Sequence, residues 1–300
     1  LKTVLIAANP KSGSTDRQEL VQALACKLSA EGYRSEVVSQ LEELQHRIQI
    51  LNEEGDLNSV VAAGGDGTVS AVATRTPASI PIAILPLGSE NLLAQYYSIP
   101  RDPSHCAKVI AKRDIRVLDA MNIDGTISLL MASVGFDAEV VRRVHQNRRS
   151  HITRWAYRYQ AWCTWLSYRW PKFQVSISQE AGEGVERESI RYASQWCFVF
   201  NIPRYAAGLS IIDRSDPSDG FLDVGLFETS GPIRGLFQFW DVLRGRHMRR
   251  PDWHHLSACQ VDIRLDSAAA GEASVQLDGD WGGSLPIRIQ VVPRRVQLIA

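Results

Sequence analysis

At 300 residues the chain is longer than one average domain, so two domains are the first expectation. With 45% apolar and 22% charged residues it can bury a core of its own, and a formal net charge of zero excludes a whole-molecule field that would draw it to nucleic acid or membranes. Five scattered cysteines without a C-x-x-C pair exclude a disulfide framework or cysteine zinc site and suit a reducing, cytoplasmic setting, and no apolar run approaches the roughly 20 residues that span a bilayer.

The first third alternates strand and helix signals. Thr3 to Ala8 is an apolar run ending at Asn9-Pro10 and reads as a buried strand. Thr15-x-x-Gln18 opens a helix whose Leu20, Leu24 and Leu28 share a face, with Gly32 as its stop. Ser35 to Ser39 is a second strand, and Leu41, Leu44, Ile48 and Leu51 form a second helical stripe closed by Gly55. Ser59 to Ala63 and Ile80 to Leu85 are further strands, followed by helical stretches at Val69–Arg75 and up to Tyr97. Strands separated by helices imply a parallel sheet covered on both faces.

Near residue 115 strands take over. They are expected at 116–123, 128–134, 173–178, 192–201, 221–227, 260–265, 274–277 and 287–292, with a hairpin turn at Asp124-Gly125 and helical insertions at 137–169 and 232–244. The division expected is an α/β domain over 1–117 and a β-rich domain over 118–300.

Three strings follow strands of the first domain. Gly64-Gly65-Asp66-Gly67-Thr68 lies at the carboxyl end of a strand, where open α/β sheets bind ligands. Its glycines let phosphate approach backbone N–H groups, and the helix that follows adds a favourable partial charge. Asp66 suits Mg²⁺ or a nucleotide hydroxyl, and Thr68 a phosphate oxygen. Asn9-Pro10-Lys11-Ser12-Gly13 adds a cation, a hydroxyl and backbone donors; Pro86-Leu87-Gly88-Ser89-Glu90-Asn91 is the third string. Such strand-end loops in one parallel sheet converge on one crevice.

At these residues the chain resembles the diacylglycerol kinase catalytic-domain family, whose pattern is N-P-x-S-G, G-G-D-G-T and P-x-G-[TS]-x-N. Gly135-Phe136-Asp137-Ala138, Asp219-Gly220-Phe221-Leu222-Asp223-Val224 and Leu277-Asp278-Gly279-Asp280 extend the likeness over nearly the whole chain. The resemblance implies a phosphofructokinase-like nucleotide domain joined to a β-sandwich, with ATP and Mg²⁺ in the cleft between them and a lipid hydroxyl as acceptor. It implies that Asn9, Lys11, Ser12, Gly64, Gly65, Gly67, Thr68, Gly88, Ser89 and Asn91 serve the nucleotide or its loops. Asp66 and Asp119 would organise Mg²⁺, and Asp219 resembles a structural metal ligand; a plain turn or surface carboxylate is the competing reading of Asp119 and Asp219. Asp280 would orient or deprotonate the acceptor.

The departures are Leu92 in a slot often held by Asp, Ser218 where a second Asp is common, Ser89 for Thr, and Asp280 for the family's Glu. The last change keeps a non-catalytic lipid- or nucleotide-binding homologue in play, and an NAD kinase-like enzyme shares G-G-D-G-T. Nothing resembles a nucleic-acid recognition motif. From Arg142 to Lys172, seven arginines interleave with Trp and Tyr, a composition suited to transient contact with a membrane surface or, more plainly, to a helix packed on the β domain. Arg244 to Arg250 is a second basic stretch, read as an exposed turn.

Overall fold

A computed structural model describes residues 1–8, 15–146, 154–179, 189–205, 211–212, 214–267 and 271–300. The chain forms two compact units, Leu1–Ala120 with Pro293–Ala300, and Met121–Val292.

In the first unit β1 (Thr3–Ala8), β2 (Arg34–Val38), β3 (Leu57–Gly64) and β4 (Ile82–Pro86) are parallel, in the order β2-β1-β3-β4. Parallel neighbours need crossovers, here α1 (Thr15–Ala30), α2 (Leu41–Glu53) and α3 (Asp66–Arg75). The helix stripes behave as their spacing requires: Leu24 and Leu28 of α1 and Leu44 and Ile48 of α2 are buried. A short α4 (Leu92–Tyr96) is followed by α5 (Pro103–Lys112), a helix the sequence reading passed over. Its start was legible, because Asp102 accepts from the N–H groups of Ser104 (2.8 Å) and His105 (3.3 Å), and Pro103 takes the first position, where no donor is needed.

The second unit is a sandwich of antiparallel sheets. One runs β12 (Trp253–Ala258), β11 (Leu222–Phe227), β10 (Trp196–Phe200), β7 (Met131–Val134), β14 (Ser274–Leu277), β15 (Asp280–Ser284). The other runs through β16 (Ile287–Ile299), β13 (Gln260–Leu265), β8 (Phe173–Ser178) and β9 (Ser189–Ser194). Val134, Val199, Val224 and Val275 of the first sheet share a core with Val175, Val261 and Ile289 of the second. Helices α6 (Phe136–Gln146), α7 (Arg154–Ser167) and α8 (Pro232–Leu243) fill the expected insertions.

Three expectations need correction. The last eight residues do not stay with the second unit: Leu298 and Ile299 pair in parallel with Ile82 and Ala83 of β4, giving that strand its outer partner. The run 128–134 is two strands. β6 (Thr126–Ser128) closes the Asp124-Gly125 hairpin on β5 (Ile115–Ile123), and the chain swings at Leu129-Leu130 into β7. The run 192–201 is also two strands, β9 and β10, one in each sheet, broken at buried Gln195. The Gln195 amide donates to the carbonyl of Trp170 and accepts from the N–H of Ser230 (2.8 Å), contacts that a continuous strand would not allow it. Apolar composition alone does not say which sheet a residue joins.

Candidate active-site loops

In the first unit, the parallel register aligns Ala8 with Ala63 and Gly64 with Pro86, so β1, β3 and β4 end level and their loops leave from one edge. The first of these loops, with Asn9, Lys11 and Ser12, lies outside the described residues. The other two are in direct contact. The N–H of Leu87 donates to the carbonyl of Gly64 at 2.9 Å. A Cβ at Gly88 would stand 2.5 Å from the Gly65 Cα and 2.6 Å from Asn91 Oδ1; one at Gly64 would stand 2.2 Å from Thr68 Oγ1. Gly88 is therefore required by loop-on-loop packing, and Gly64 by contact with Thr68 within its own loop, whatever else they bind.

Asp66 locks that contact, and Asn91 shapes the loop that carries Gly88. Asn91, at φ 51°, accepts from the N–H of Gly88 (2.8 Å) and donates to its carbonyl (2.9 Å), a local side-chain bond that offsets the left-handed backbone. Asp66 reaches across from the first position of α3. Its two carboxylate oxygens accept from the N–H groups of Leu92 (2.8 Å) and Leu93 (3.1 Å), the first turn of α4. The motif carboxylate thus satisfies donors that a helix start leaves unpaired. Leu92 fills the slot where Asp is common in relatives, and it contributes only its backbone N–H to this network.

What remains presented is chemically specific. Gly67 and Ser89 are exposed and Thr68 is half-buried. At the start of α3 the N–H groups of Thr68 (2.9 Å) and Val69 (3.1 Å) both turn to the Gly65 carbonyl, and the helix N-terminus carries a favourable partial charge. Backbone donors, a helix dipole and two hydroxyls suit a polyphosphate. The fit to Mg²⁺ is looser. Asp119 is buried and its Oδ1 accepts from the N–H of Arg294 (2.7 Å). Among the described residues no group of three or more His, Cys, Asp or Glu is placed to hold a metal. A magnesium ion here would draw most of its ligands from phosphate and water, as this ion commonly does.

In the second unit, Asp278 and Asp280 flank Gly279 in the hairpin between β14 and β15. Asp278 and Gly279 have φ 50° and 89°, which makes a two-residue turn with Leu277 paired to Asp280. Asp278 accepts from Ser128 Oγ (2.6 Å) and from the N–H groups of Leu129 (3.0 Å), Leu130 (2.9 Å) and Met131 (3.0 Å). It is the clamp that turns β6 into β7. Asp280, two residues on, is exposed. Asp219 is exposed as well, and its Oδ1 accepts from the N–H of Phe221 (2.9 Å), a turn contact.

The Gly135-Phe136-Asp137-Ala138 string carries a network to which the sequence reading gave no role. Gly135, at φ 132°, lies so near Gln195 and Trp196 that a Cβ would come within 2.9 Å of each. Asp137 then accepts from Ser133 Oγ (2.5 Å), Trp196 Nε1 (2.7 Å) and Tyr205 Oη (2.9 Å). Burial pushes its carboxyl pKa up despite these donors, and burial beside Asp137 pushes the Tyr205 phenol well up. Nearby Glu139 goes the other way. Burial opposes ionisation, but bonds from Arg142 (2.6 Å), Ser274 (2.7 Å) and Arg143 (2.7 Å) outweigh it and hold the carboxyl at about 2. Arg142 and Arg143 of the basic stretch are thereby committed to a partly buried pairing with Glu139. Trp165, Tyr168 and Trp170 likewise pack on Phe136. Arg148 and Arg149 lie outside the described residues, as do the side chains of 154–158.

Comparison with known proteins agrees with this geometry. Residues 3–123 match the diacylglycerol kinase catalytic domain, and residues 131–300 match the YegS C-terminal NAD kinase beta sandwich-like domain. A diacylglycerol kinase from Mycobacterium tuberculosis is 27% identical over 81% of this chain and 76% of its own length. The crystal structure of a diacylglycerol kinase from Bacillus anthracis superimposes with a TM-score of 0.69 at 18% identity, covering 99% of this chain and 96% of that one. An NAD kinase from Archaeoglobus fulgidus in complex with ATP gives 0.51 at 13% identity, over 100% and 94% of the two chains. Two domain matches in chain order, the three strand-end motifs and a shared fold lead to one conclusion: the chain belongs to the diacylglycerol kinase catalytic-domain family.

Proposed function

We propose that this protein is an ATP-dependent lipid kinase that transfers the γ-phosphoryl group to a primary hydroxyl of a diacylglycerol- or sphingoid-type lipid. The observation that carries the reading is the fusion of two strand-end loops into one edge, Gly65 against Gly88, with Asp66 bridging them and Asn91 shaping the second loop. Phosphoryl transfer needs positioning and charge neutralisation more than covalent help, and a rigid edge of backbone donors supplies the first.

In this reading the N-terminal end of α3, with Thr68 and Ser89, takes the triphosphate, and Asn9, Lys11 and Ser12 add a cation and further polar groups to its binding. Asp66, which also ties the loops, and Asp119 would organise Mg²⁺ through water, and Asp219 would be a separate metal ligand in the second unit. Mg²⁺, when bound, neutralises charge building on the phosphate oxygens. Asp280 accepts the proton of the lipid hydroxyl as its oxygen bonds to the γ-phosphorus and the bond to the ADP oxygen breaks. The exposed carboxylate of Asp280 suits this role, because nothing in its own hairpin consumes it. The protein would work in the cytoplasm or at the face of a membrane, since its acceptor resides in a bilayer.

The test is a labelled-ATP assay of the purified chain against diacylglycerol, sphingosine, ceramide and phosphatidylglycerol and, separately, NAD, with mass analysis of the product. A single phosphorylated lipid names the acceptor. ATP binding with no lipid phosphorylated would overturn the reading in favour of a binding protein, and transfer to NAD in favour of the NAD kinase branch.

A further inference from the structure

Helix α8 is inverted for a protein in water. Its buried positions are Gly235, Gln238 and Val242, whereas Ile233, Leu236, Phe237, Trp240 and Leu243 are 45% to 75% exposed. Those five recur at three- and four-residue steps and form one continuous outer stripe. Polar contacts hold the inner face. Gln238 donates to the Thr229 carbonyl (2.7 Å) and Asp252 Oδ2 (3.0 Å) and accepts from Ser230 Oγ (2.8 Å). Gly235 lies so close to the rings of Trp165 and Trp170 that a Cβ would come within 3.0 and 2.7 Å of them. Glycine on one turn and glutamine on the next fix the rotation of the helix, so it cannot roll over to bury the stripe.

We infer that this stripe is where the protein rests on an anionic lipid bilayer, with α8 lying in the plane of the interface. Charge chooses the occupant. Residues 229–250 carry five arginines and one acidic residue, Asp241, which Arg250 holds at 2.8 Å. No acidic residue occurs anywhere in 140–179, and α7 turns Tyr159, Trp162 and Leu166 outward. The Arg244 guanidinium sits over the Trp240 ring, 4.4 Å from its centroid, pairing a headgroup-seeking cation with an interfacial aromatic. A second copy is a poor fit, because a twofold contact would set arginine rim against arginine rim. At ~1.5 Å per residue α8 is far shorter than the ~30 Å hydrocarbon layer, so it lies on the bilayer rather than across it. Among the described residues no helix is long and apolar enough to cross a membrane.

The experiment is vesicle co-sedimentation of the full chain without ATP, so that its result is independent of phosphotransfer. Phosphatidylcholine vesicles with and without phosphatidylglycerol are the probes. The triple variant Leu236→Ser, Phe237→Ser, Trp240→Ser is expected to bind anionic vesicles about tenfold or more weakly, with its melting temperature unchanged or raised. The variant Arg244→Gln, Arg246→Gln, Arg249→Gln is expected to lose the preference for phosphatidylglycerol. Equal sedimentation of wild type and the apolar variant overturns the inference. So does a wild type that ignores both vesicles, including the case where ultracentrifugation shows it self-associating through the stripe.

Discussion

The strand-end loops of the first unit and the β14–β15 hairpin of the second use the same residue types to different ends. In the first, Gly65, Gly88 and Asp66 serve contact between two loops while Asn91 shapes one of them, and one carboxylate spans from α3 to α4. In the second the labour is divided: Asp278 is spent on four hydrogen bonds that turn one strand into the next, and Asp280 is left at the surface. A motif rich in aspartate is thus partly architecture. Which aspartate holds and which faces outward is decided by the donors around each.

That comparison can be broken. The largest effect is expected from Asp280→Ala, which should lower the rate of lipid phosphorylation about 10²- to 10⁴-fold while leaving the denaturation midpoint nearly unmoved. A variant that keeps full activity removes Asp280 from the mechanism and, with it, the division of labour. Next comes Asp278→Ala, expected to cost about 2–4 kcal/mol in urea unfolding, because backbone donors of Leu129 to Met131 lose their acceptor. If its cost instead matched that of a surface substitution, the clamp would be ornamental. The smallest of the three is Gly88→Ala, expected to cost about 1–3 kcal/mol as the two loops are forced apart, with a weaker apparent affinity for ATP by equilibrium binding. Unchanged affinity would show that phosphate binding does not depend on the loops touching.

Much of this was legible from residue order. The parallel sheet followed from apolar runs separated by helical stripes, and Asp124-Gly125 marked its hairpin correctly. The strings around residues 64 and 88 leave β3 and β4 level and touch one another, while the third, around residues 9–13, lies outside the described residues. Less legible was the purpose of the glycines, since a sequence shows missing side chains without showing what occupies the space. The helix α5 was missed although Asp102-Pro103 announced it. The Asp137 network escaped because Ser133, Trp196 and Tyr205 come from distant positions.

The basic aromatic stretch shows the same limit from the other side. Composition from Arg142 to Lys172 suggested a membrane face, yet Arg142 and Arg143 are paired with Glu139, and Trp165 and Trp170 pack inward. Among the described residues an outward apolar stripe of five side chains lies on α8, expected from sequence only as a helical insertion. Its residues are as apolar as those of a core helix, and only the contacts of Gly235 and Gln238 reveal which side faces water.

By itself, then, the order of residues determined the local pieces: the period of each strand and helix, the turns, and the motifs that mark a kinase family. Tertiary structure alone decided which sheet β9 and β10 each joined, that the final residues return to β4, and which carboxylates are consumed by backbone donors. The physical reason is that periodicity and turn chemistry act between neighbours in the chain, whereas burial and hydrogen-bond satisfaction depend on groups brought together from far along it.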